Sequence, residues 1–300
     1  MQVVVVGSVN RDTSMRVDRL PSPGETVSGH DLRHDQGGKG ANQAVAAARL
    51  GAETAMIGCV GDDEAGTGAT SALAGEGIDV SGLTVAAGHP TGQAFISVDS
   101  LGENSIVVVD GANGLLTPDR VRLESARIAS AGVLLCQLEV PISAVTAAAE
   151  LAKGIVVLNP APARQLPHDL LTRADVVVPN AGELATLAGA EALPTTIDEI
   201  TALVRLAGLD RAVVTLGARG ALVVDGDRSL MIEAVPVDVV DTTAAGDAFC
   251  GALAVALSEG RSLEDAARWA AAAGAGAASV RGAQASLPNR SRVDRLAGLA

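Results

Sequence analysis

A short polar stretch, Asp241-Thr-Thr-Ala-Ala-Gly-Asp-Ala-Phe249, combines acidic and very small residues directly before an apolar run. The pattern predicts a tight turn that opens a helix. The first backbone N–H groups of a helix have no partner within it, so they can donate to a bound anion. Asp247, at the start of this helix, can face the same space and accept a proton from a bound hydroxyl group.

The alternative interpretation is that Asp247 only caps the helix, because Asp is favoured at helix N-termini. A cap requires neither the small run of residues 244–246 nor the acidic Asp241 upstream. A backbone that approaches a ligand closely does require small residues in a fixed turn. The flanking residues therefore favour an anion site over a simple cap.

A second candidate, Gln36-Gly-Gly-Lys-Gly-Ala-Asn-Gln43, is rich in glycine and precedes an Ala-rich helix predicted at Ala44–Leu50 and closed by Gly51. It lacks the spacing of a phosphate-binding Walker A loop. Glycines at a helix start still permit close backbone approach, and Lys39 and Asn42 would project polar groups into the same place. An ordinary loop is the alternative interpretation.

The elements that must position these residues alternate between strand-like and helix-like stretches. The β-branched run Val3–Val6 is typical of a strand buried on both faces of a parallel sheet. Asn10 and Asp12 follow it, where ligands bind in open α/β sheets, although an Asx turn would explain Asn10 equally well. Polar residues also follow later strands and together predict one shared crevice: Gln137-Leu-Glu139, Asn159–Ala163, Asn180–Glu183 and Thr215–Gly220.

Two segments, residues 13–38 and 91–110, resemble hairpins with no helix between their strands, and they could pair as a small sheet. They would form a lid over a core made of residues 1–12, 39–90 and 111–300. The expected fold class is therefore α/β, with a mostly parallel sheet flanked by helices and a separate β lid.

Composition and missing motifs argue against several classes of protein. The net charge of −13 argues against a nucleic-acid partner, which would require a basic face. The sequence has no HExxH, no GxSxG and no GxGxxG of a dinucleotide-dependent oxidoreductase. We find no signal peptide or membrane-spanning run, and Gly274 and Gly276 interrupt the longest Ala-rich tract. The three cysteines lie far apart, which fits a reducing compartment, so we expect a cytoplasmic protein.

Taken together, these motifs resemble those of the PfkB family of carbohydrate kinases, and specifically its ribokinase group. The match extends over nearly the whole chain and is most specific in the pair Gly37–Gln43 and Asp241–Phe249. The resemblance implies a three-layer α/β/α core with a β-sheet lid, and transfer of the ATP γ-phosphoryl group to O5 of D-ribose. It also implies a homodimer formed through the lid.

The resemblance also assigns roles to individual residues. Asp247 would be the general base, and the amides of Ala244, Ala245 and Gly246 would form an anion hole for the transferring phosphoryl group. The contacts to the sugar, with Asn10 included because of its position after the first strand, would be Asn10, Asp12, Gly38, Lys39, Asn42 and Glu139.

The same resemblance implies two ions. Asn180 and Glu183 match a motif that orders Mg²⁺ and phosphate-bound water, although the family usually has Glu where this chain has Ala181. The nucleotide would be bordered by Thr215, Gly217 and Gly220. An activating K⁺ would be held by loops that contain Asp241, Thr243, Ala277, Val280, Gly282 and Ser286.

Two other functions are compatible with these motifs. The chain could phosphorylate another sugar or a nucleoside, such as deoxyribose, fructose or adenosine, and the lid residues Phe95 and Ile96 would then set that choice. It could instead be a non-catalytic sugar-binding regulator with the same fold. The intact Asp247 and the small run before it argue against the regulator.

Overall fold

The computed structural model describes residues 2–299, which form two β-sheets and eleven α-helices. The strands are β1 (Val3–Val6), β2 (Asn10–Val17), β3 (Gly29–Gly37), β4 (Thr54–Gly61), β5 (Asp79–Ala86), β6 (Gly92–Val98), β7 (Asn104–Val109), β8 (Val133–Cys136), β9 (Ile155–Leu158), β10 (Val176–Val177), β11 (Arg211–Thr215), β12 (Ala221–Asp225) and β13 (Arg228–Ile232). The helices are α1 (Lys39–Arg49), α2 (Glu64–Gly75), α3 (Pro118–Leu123), α4 (Ser125–Ser130), α5 (Ile142–Leu151), α6 (His168–Arg173), α7 (Ala181–Ala188), α8 (Ile197–Leu206), α9 (Ala245–Ser258), α10 (Leu263–Ala278) and α11 (Arg290–Leu296).

The large sheet has nine strands in the order β13-β12-β11-β10-β9-β8-β1-β4-β5. Its pairings are parallel from β5 across to β11, and only β12 and β13 at one edge are antiparallel. This confirms the mostly parallel sheet that the alternating pattern predicted. Parallel strands connected by helices place their carboxyl ends at one edge of the sheet, where the candidate site residues follow them.

Helices cover both faces of this sheet, because its central strands are apolar on both sides. Val3 and Val5 pack with α1, α2, α9 and α10, whereas Val4 and Val6 pack with α3 to α6 on the opposite face. All four valines are fully buried. The result is the three-layer α/β/α core, built from Val, Leu, Ile and Ala with few aromatic side chains.

The small sheet has the order β3-β2-β6-β7. Its two antiparallel pairs, β2 with β3 and β6 with β7, are joined by a parallel pairing of β2 with β6. The predicted pairing of two hairpins outside the main sheet is therefore confirmed. Asn10 and Asp12 lie in β2 and so belong to this sheet, while the proposed lid bounds, 13–38 and 91–110, stay a prediction.

Two helices differ from expectation in instructive ways. Helix α1 begins at Lys39, five residues before the predicted Ala44, because Gly38 supplies the turn with a φ of 89° and the polar residues that follow it are helical. The predicted closure at Gly51 is confirmed by its φ of 92°. Helix α10 continues without a break through Gly274 and Gly276, where small residues allow close contact with Phe249 and Pro288.

Two further expectations can be compared with residues 2–299. The cysteines Cys59, Cys136 and Cys250 are all buried and free. Across the described chain, no helix has both the length and the hydropathy that a membrane crossing demands.

Candidate active site

A cleft of about 190 Å³ opens at the carboxyl ends of β9, β10 and β11 and at the start of α9. It brings together residues that are far apart in the sequence, as the strand-end pattern predicted. Its lining includes Lys39, Asn180, Glu183, Thr215, Gly246 and Asp247.

Asp247 is the third residue of α9 and is only 6% exposed. Its Oδ2 accepts a hydrogen bond from Asn42 Nδ2 at 2.9 Å, and its Oδ1 accepts one from Gln43 Nε2 at 3.0 Å. The residue before the helix is Ala244, and over residues 2–299 the structure records no side-chain cap for α9. The capping interpretation of Asp247 is therefore wrong, because its carboxylate faces the side chains of α1 instead of its own helix end.

Burial raises the pKa of the Asp247 carboxyl, while Lys39 and the two amide donors act in the opposite direction. In return, Asp247 is the main reason that the pKa of Lys39 is raised. A carboxylate with a raised pKa in a low-dielectric site is a stronger base than an exposed one, and the charge of Lys39 stabilises its ionised form. This is the electrostatic state that proton acceptance requires.

The turn before α9 presents backbone donors to the cleft. Ala244 has a φ of 58°, in the left-handed region that non-glycine residues seldom adopt. Within the described part of the chain, the N–H groups of Ala244, Gly246 and Asp247 have no recorded acceptor. The N–H of Ala245, by contrast, donates to the carbonyl of Thr242 at 3.2 Å. In this conformation Ala245 therefore differs from the expectation that its amide faces the anion.

The predicted sugar side of the site contains several carboxylates around Lys39. Glu139 Oε2 accepts hydrogen bonds from Ser8 Oγ at 2.6 Å and from the Lys39 backbone N–H at 2.9 Å. Burial, together with the charges of Glu139, Asp35 and Asp247, raises the pKa of Asp12 to about 7. Asp12 is therefore repelled by three other acids while one lysine, Lys39, opposes them, and such repulsion can be relieved by hydroxyl groups that donate to the carboxylates.

Glycine is required beside these acids for steric reasons. A Cβ on Gly37 would lie 2.2 Å from the Asp12 carboxyl group, and a Cβ on Gly38 would lie 2.8 Å from the backbone nitrogen of Asn10. The Gly-rich run is thus not an ordinary loop, since Gly38 lets the start of α1 approach β2 closely and Gly37 leaves room for the Asp12 carboxyl group.

Asn113 is a site residue that sequence reasoning missed. It is buried and donates from Nδ2 to Asn10 Oδ1 at 2.6 Å, while its own Oδ1 accepts from the Val9 N–H at 2.9 Å. It thereby fixes the side chain of Asn10 and removes the simple Asx turn as an explanation. The available signal was its position in Gly111-Ala-Asn113, where the chain returns from the small sheet to the core.

Asn180 and Glu183 form a reciprocal cap at the start of α7. Asn180 Oδ1 accepts from the Glu183 N–H at 2.8 Å, and Glu183 Oε2 accepts from the Asn180 N–H at 2.8 Å. Burial raises the pKa of Glu183. Ala181 is the first residue of α7, so the missing acid of the usual motif leaves this cap intact.

The predicted nucleotide loop follows β11. Thr215 lines the cleft. Gly217 begins the short 3₁₀ turn that follows, and Gly220 ends it, with φ values of 58° and 91°. A Cβ on Gly220 would lie 2.0 Å from the Ile232 carbonyl, so this glycine is also needed for contact with the end of β13.

The predicted K⁺ loops are joined by Asp241. Its Oδ1 accepts from the N–H and hydroxyl of Thr243 at 2.9 and 2.6 Å, and its Oδ2 accepts from the Gly282 N–H at 2.9 Å. The carbonyl of Ala277 accepts from the Val280 N–H at 3.0 Å, and the Ser286 hydroxyl donates to Ala283. The loops therefore meet. The atoms they could offer as ligands to a cation are oxygens, which suits a hard cation. In residues 2–299, no cluster of three or more His, Cys, Asp or Glu could hold a metal ion.

The comparisons with known proteins point in one direction. The pfkB family carbohydrate kinase model matches residues 1–290. The ribokinase of Haemophilus influenzae is 43% identical over 296 residues, which is 96% of this chain and 95% of that protein. The deoxyribokinase of Salmonella typhi is 35% identical over 297 residues, or 96% of each.

The fold comparison agrees with the sequence comparison. The structure of Arabidopsis thaliana ribokinase complexed with ribose and ATP superposes with a TM-score of 0.90 at 34% identity. It covers 100% of this chain and 99% of that one. The similarity therefore includes both the large sheet and the small one.

Proposed function

The chain belongs to the pfkB family of carbohydrate kinases, and we propose that it transfers the γ-phosphoryl group of ATP to O5 of D-ribose. The observation that carries this proposal is the buried Asp247 carboxylate beside unpaired amides at the start of α9. Support for ribose comes from the ribokinase relatives, one of which has been solved with ribose and ATP. The products would be ribose 5-phosphate and ADP.

In the proposed mechanism Asp247 accepts the proton of the sugar hydroxyl while that oxygen attacks phosphorus. Each of its oxygens has one hydrogen bond from the protein, which leaves lone pairs for the hydroxyl. The unpaired N–H groups at the start of α9 and the ammonium group of Lys39 would stabilise charge on the transferring phosphoryl group. For Ala245 to join them, its N–H would have to leave the Thr242 carbonyl.

We propose that Glu183 and Asn180 order Mg²⁺ through water, with the ATP phosphates as its other ligands. The fit is in the donor chemistry, because Mg²⁺ prefers few protein oxygens together with phosphates and water. Bound Mg²⁺ would neutralise charge on the phosphates. The side chains of Asn180 and Glu183 keep their mutual hydrogen bonds, so they are held in place before any ligand arrives.

We further propose K⁺ as an activator at the loops around Asp241. A cation there would lie directly upstream of Ala244 and could order the turn before α9 without contacting the sugar. The carboxylate that joins Thr243 to Gly282 supports this role, because it already fixes the two loops against each other.

The choice of sugar depends on the acids and on one face of the small sheet. Asp12 and Glu139 offer acceptors for several hydroxyl groups, so a sugar that lacks a hydroxyl should be a poorer substrate. The β2–β6 register pairs Asp12 with Ala94 and Thr13 with Phe95. Ile96 therefore shares the face of Asp12, which supports a role for it in the choice of sugar, while Phe95 lies on the opposite face.

The test is ADP release from Mg·ATP with D-ribose, in parallel with 2-deoxyribose, fructose and a nucleoside, in K⁺ or in Na⁺. We expect the highest turnover with ribose and a higher rate in K⁺. ADP release only with another acceptor would keep the kinase but remove ribose; the 35% identical deoxyribokinase makes 2-deoxyribose the main competitor. No turnover with any acceptor would favour a sugar-binding regulator.

We propose that the small sheet also forms a homodimer. Its edge strand β7 exposes consecutive apolar side chains, among them Val107 at 60% and Val109 at 46%, and an unpaired apolar edge favours association. Light scattering should give a dimer for the wild type and a monomer for Val107→Glu. Leu123→Glu, at an 83% exposed leucine of α3, is the matched control and should stay dimeric. A monomeric wild type would contradict the proposal.

A cytoplasmic location stays a prediction.

A further inference from the structure

A chain of buried side-chain amides leads from the protein interior to the carboxylate of Asp247. Gln43 Nε2 donates to Asp247 Oδ1 at 3.0 Å and to Asn159 Oδ1 at 3.1 Å. Gln137 Nε2 donates to Gln43 Oε1 at 2.6 Å, and Asn159 Nδ2 donates to the Val178 carbonyl at 2.9 Å. Four segments of the chain therefore meet behind the proposed base.

These contacts fix the direction in which the Gln43 amide points. Its oxygen accepts from Gln137, so its NH₂ group must face Asp247. A flipped amide would place an oxygen against the carboxylate and two NH₂ groups against each other. Both glutamines have zero exposure, and in such a low-dielectric interior an unfavourable amide orientation is costly.

Two glycines permit the close packing of backbone and side chains around these glutamines. A Cβ on Gly251, one turn after Asp247 in α9, would lie 2.6 Å from the Ala46 side chain and 2.9 Å from the Gln43 carbonyl. A Cβ on Gly7, at the end of β1, would lie 2.0 Å from Gln137 Oε1. The close approach of α1 to α9, and of the Gln137 side chain to β1, thus depends on the absence of side chains at both positions.

We propose that Gln43 is a positioning residue for phosphoryl transfer, which holds the Asp247 carboxylate in the orientation and the charged form that accept a proton, and that Gln137 orients Gln43. The inference rests on the proposed function, because proton acceptance by Asp247 is part of it. A donor bonded to a carboxylate stabilises its charged form, and here one amide serves each oxygen. Asn42 holds the second oxygen.

Other ionisable groups also face Asp247 and contribute to its titration. They are Lys39 from α1, Glu139 after β8, Glu183 from α7, Asp12 from β2 and Cys250 from α9 itself. Lys39 lowers the pKa of Asp247, whereas Glu139 raises it. Replacing Gln43 with a neutral residue leaves all these charges unchanged, so the change in titration reports the lost donor.

The test is the pH dependence of kcat/KM for the variant Gln43→Met, which removes the donor at similar volume. Loss of the donor should raise the pKa of Asp247 and move the acidic limb of the profile to higher pH by about one unit, with a roughly tenfold lower rate at pH values below both limbs. The rate should recover at higher pH, and KM for ATP should change less than about twofold. Gln137→Met should shift the acidic limb in the same direction but by a smaller amount. The double variant Gln43→Met/Gln137→Met should shift it little further than Gln43→Met alone.

Thr54→Val is the matched control, since Thr54 is a buried polar residue at the amino end of β4, away from the cleft. Its profile should keep the wild-type shape. The same fractional loss at every pH for Gln43→Met, or no loss at all, would overturn the inference. If Gln43→Met does not fold, Gln137→Met decides: a shifted limb supports the inference and an unshifted limb overturns it.

A second readout separates this inference from the proposed function. Carboxyl ¹³C NMR of Asp247, assigned with Asp247→Asn, follows its titration without any substrate. A higher pKa in Gln43→Met supports the role of Gln43, and an unchanged pKa overturns it. A wild type that phosphorylates no acceptor would contradict the proposed function only.

Discussion

Replacing Asp247 with Asn is expected to lower kcat for ribose phosphorylation by roughly 10²–10⁴-fold, the usual contribution of a general base. The substitution keeps the size and most of the shape of the side chain. It removes the charge that Lys39 compensates and the lone pair that accepts the sugar proton. Steady-state ADP release at saturating ribose and ATP measures this loss.

The same substitution should leave the protein folded. Asn42 and Gln43 each donate one hydrogen bond to Asp247, so an Asn there would keep one acceptor and lose the other. Ribose binding, measured by calorimetry, should change much less than kcat. Asp119→Asn, at a 92% exposed carboxylate on α3, is the control and should phosphorylate ribose at the wild-type rate. Unchanged phosphorylation by Asp247→Asn would remove the base from the mechanism.

The sequence predicted most of the fold because its strands are simple. Runs such as Val3–Val6 and Ile155–Leu158 have no polar residue, and helices with helix-favouring residues lie between them. The start of α1 was misplaced because residues 39–43 contain glycine and amides, which have weak helix propensity. Tertiary contacts with β2 and α9 outweigh that propensity here.

The candidate site could be predicted only where residue types have a single plausible use. An acid after a small-residue turn, as at Asp247, is informative, whereas a buried amide is identical in sequence to a solvated one. Asn113 was therefore missed, and the bonding roles of Gln43 and Gln137 were not predicted although both lie in the candidate stretches; each bonds a predicted site residue or its partner. The face of the small sheet on which Phe95 lies could not be predicted either, because the register between β2 and β6 determines that face.

A second large effect is expected for Asp12→Asn, which should weaken ribose binding and stabilise the protein. The Asp12 carboxylate is the proposed acceptor for ribose hydroxyl groups, and hydrogen bonds to a charged group are worth about 1.5–3 kcal/mol. KM for ribose should therefore increase roughly tenfold to a hundredfold at pH 8, with KM for ATP little changed. An unchanged KM for ribose would mean that Asp12 does not contact the sugar.

The pH dependence of ribose binding follows from the same carboxyl group. Burial and the neighbouring acids raise the pKa of Asp12 to about 7, so below that pH the group is protonated and loses acceptor capacity. In the wild type, KM for ribose should increase as the pH falls through 7. This increase should be absent in Asp12→Asn, whose side chain does not titrate.

The expected stabilisation has a definite sign. An unfolded Asp12 has its ordinary pKa of 3.8, so between about pH 4 and pH 7 the folded protein holds a proton that the unfolded chain has released. The contribution of Asp12 to the free energy of unfolding therefore falls as the pH rises through that window. Asp12→Asn removes the penalty and should increase the free energy of unfolding by roughly 1–3 kcal/mol at pH 8, with little gain near pH 4.

Urea unfolding at both pH values measures this, with Asp227→Asn, a fully exposed carboxylate, as the control. A stability loss at pH 8 would show that Asp12 is not repelled by Asp35, Glu139 and Asp247 as the geometry implies. A gain would identify Asp12 as a residue that costs stability so that the site can bind a sugar.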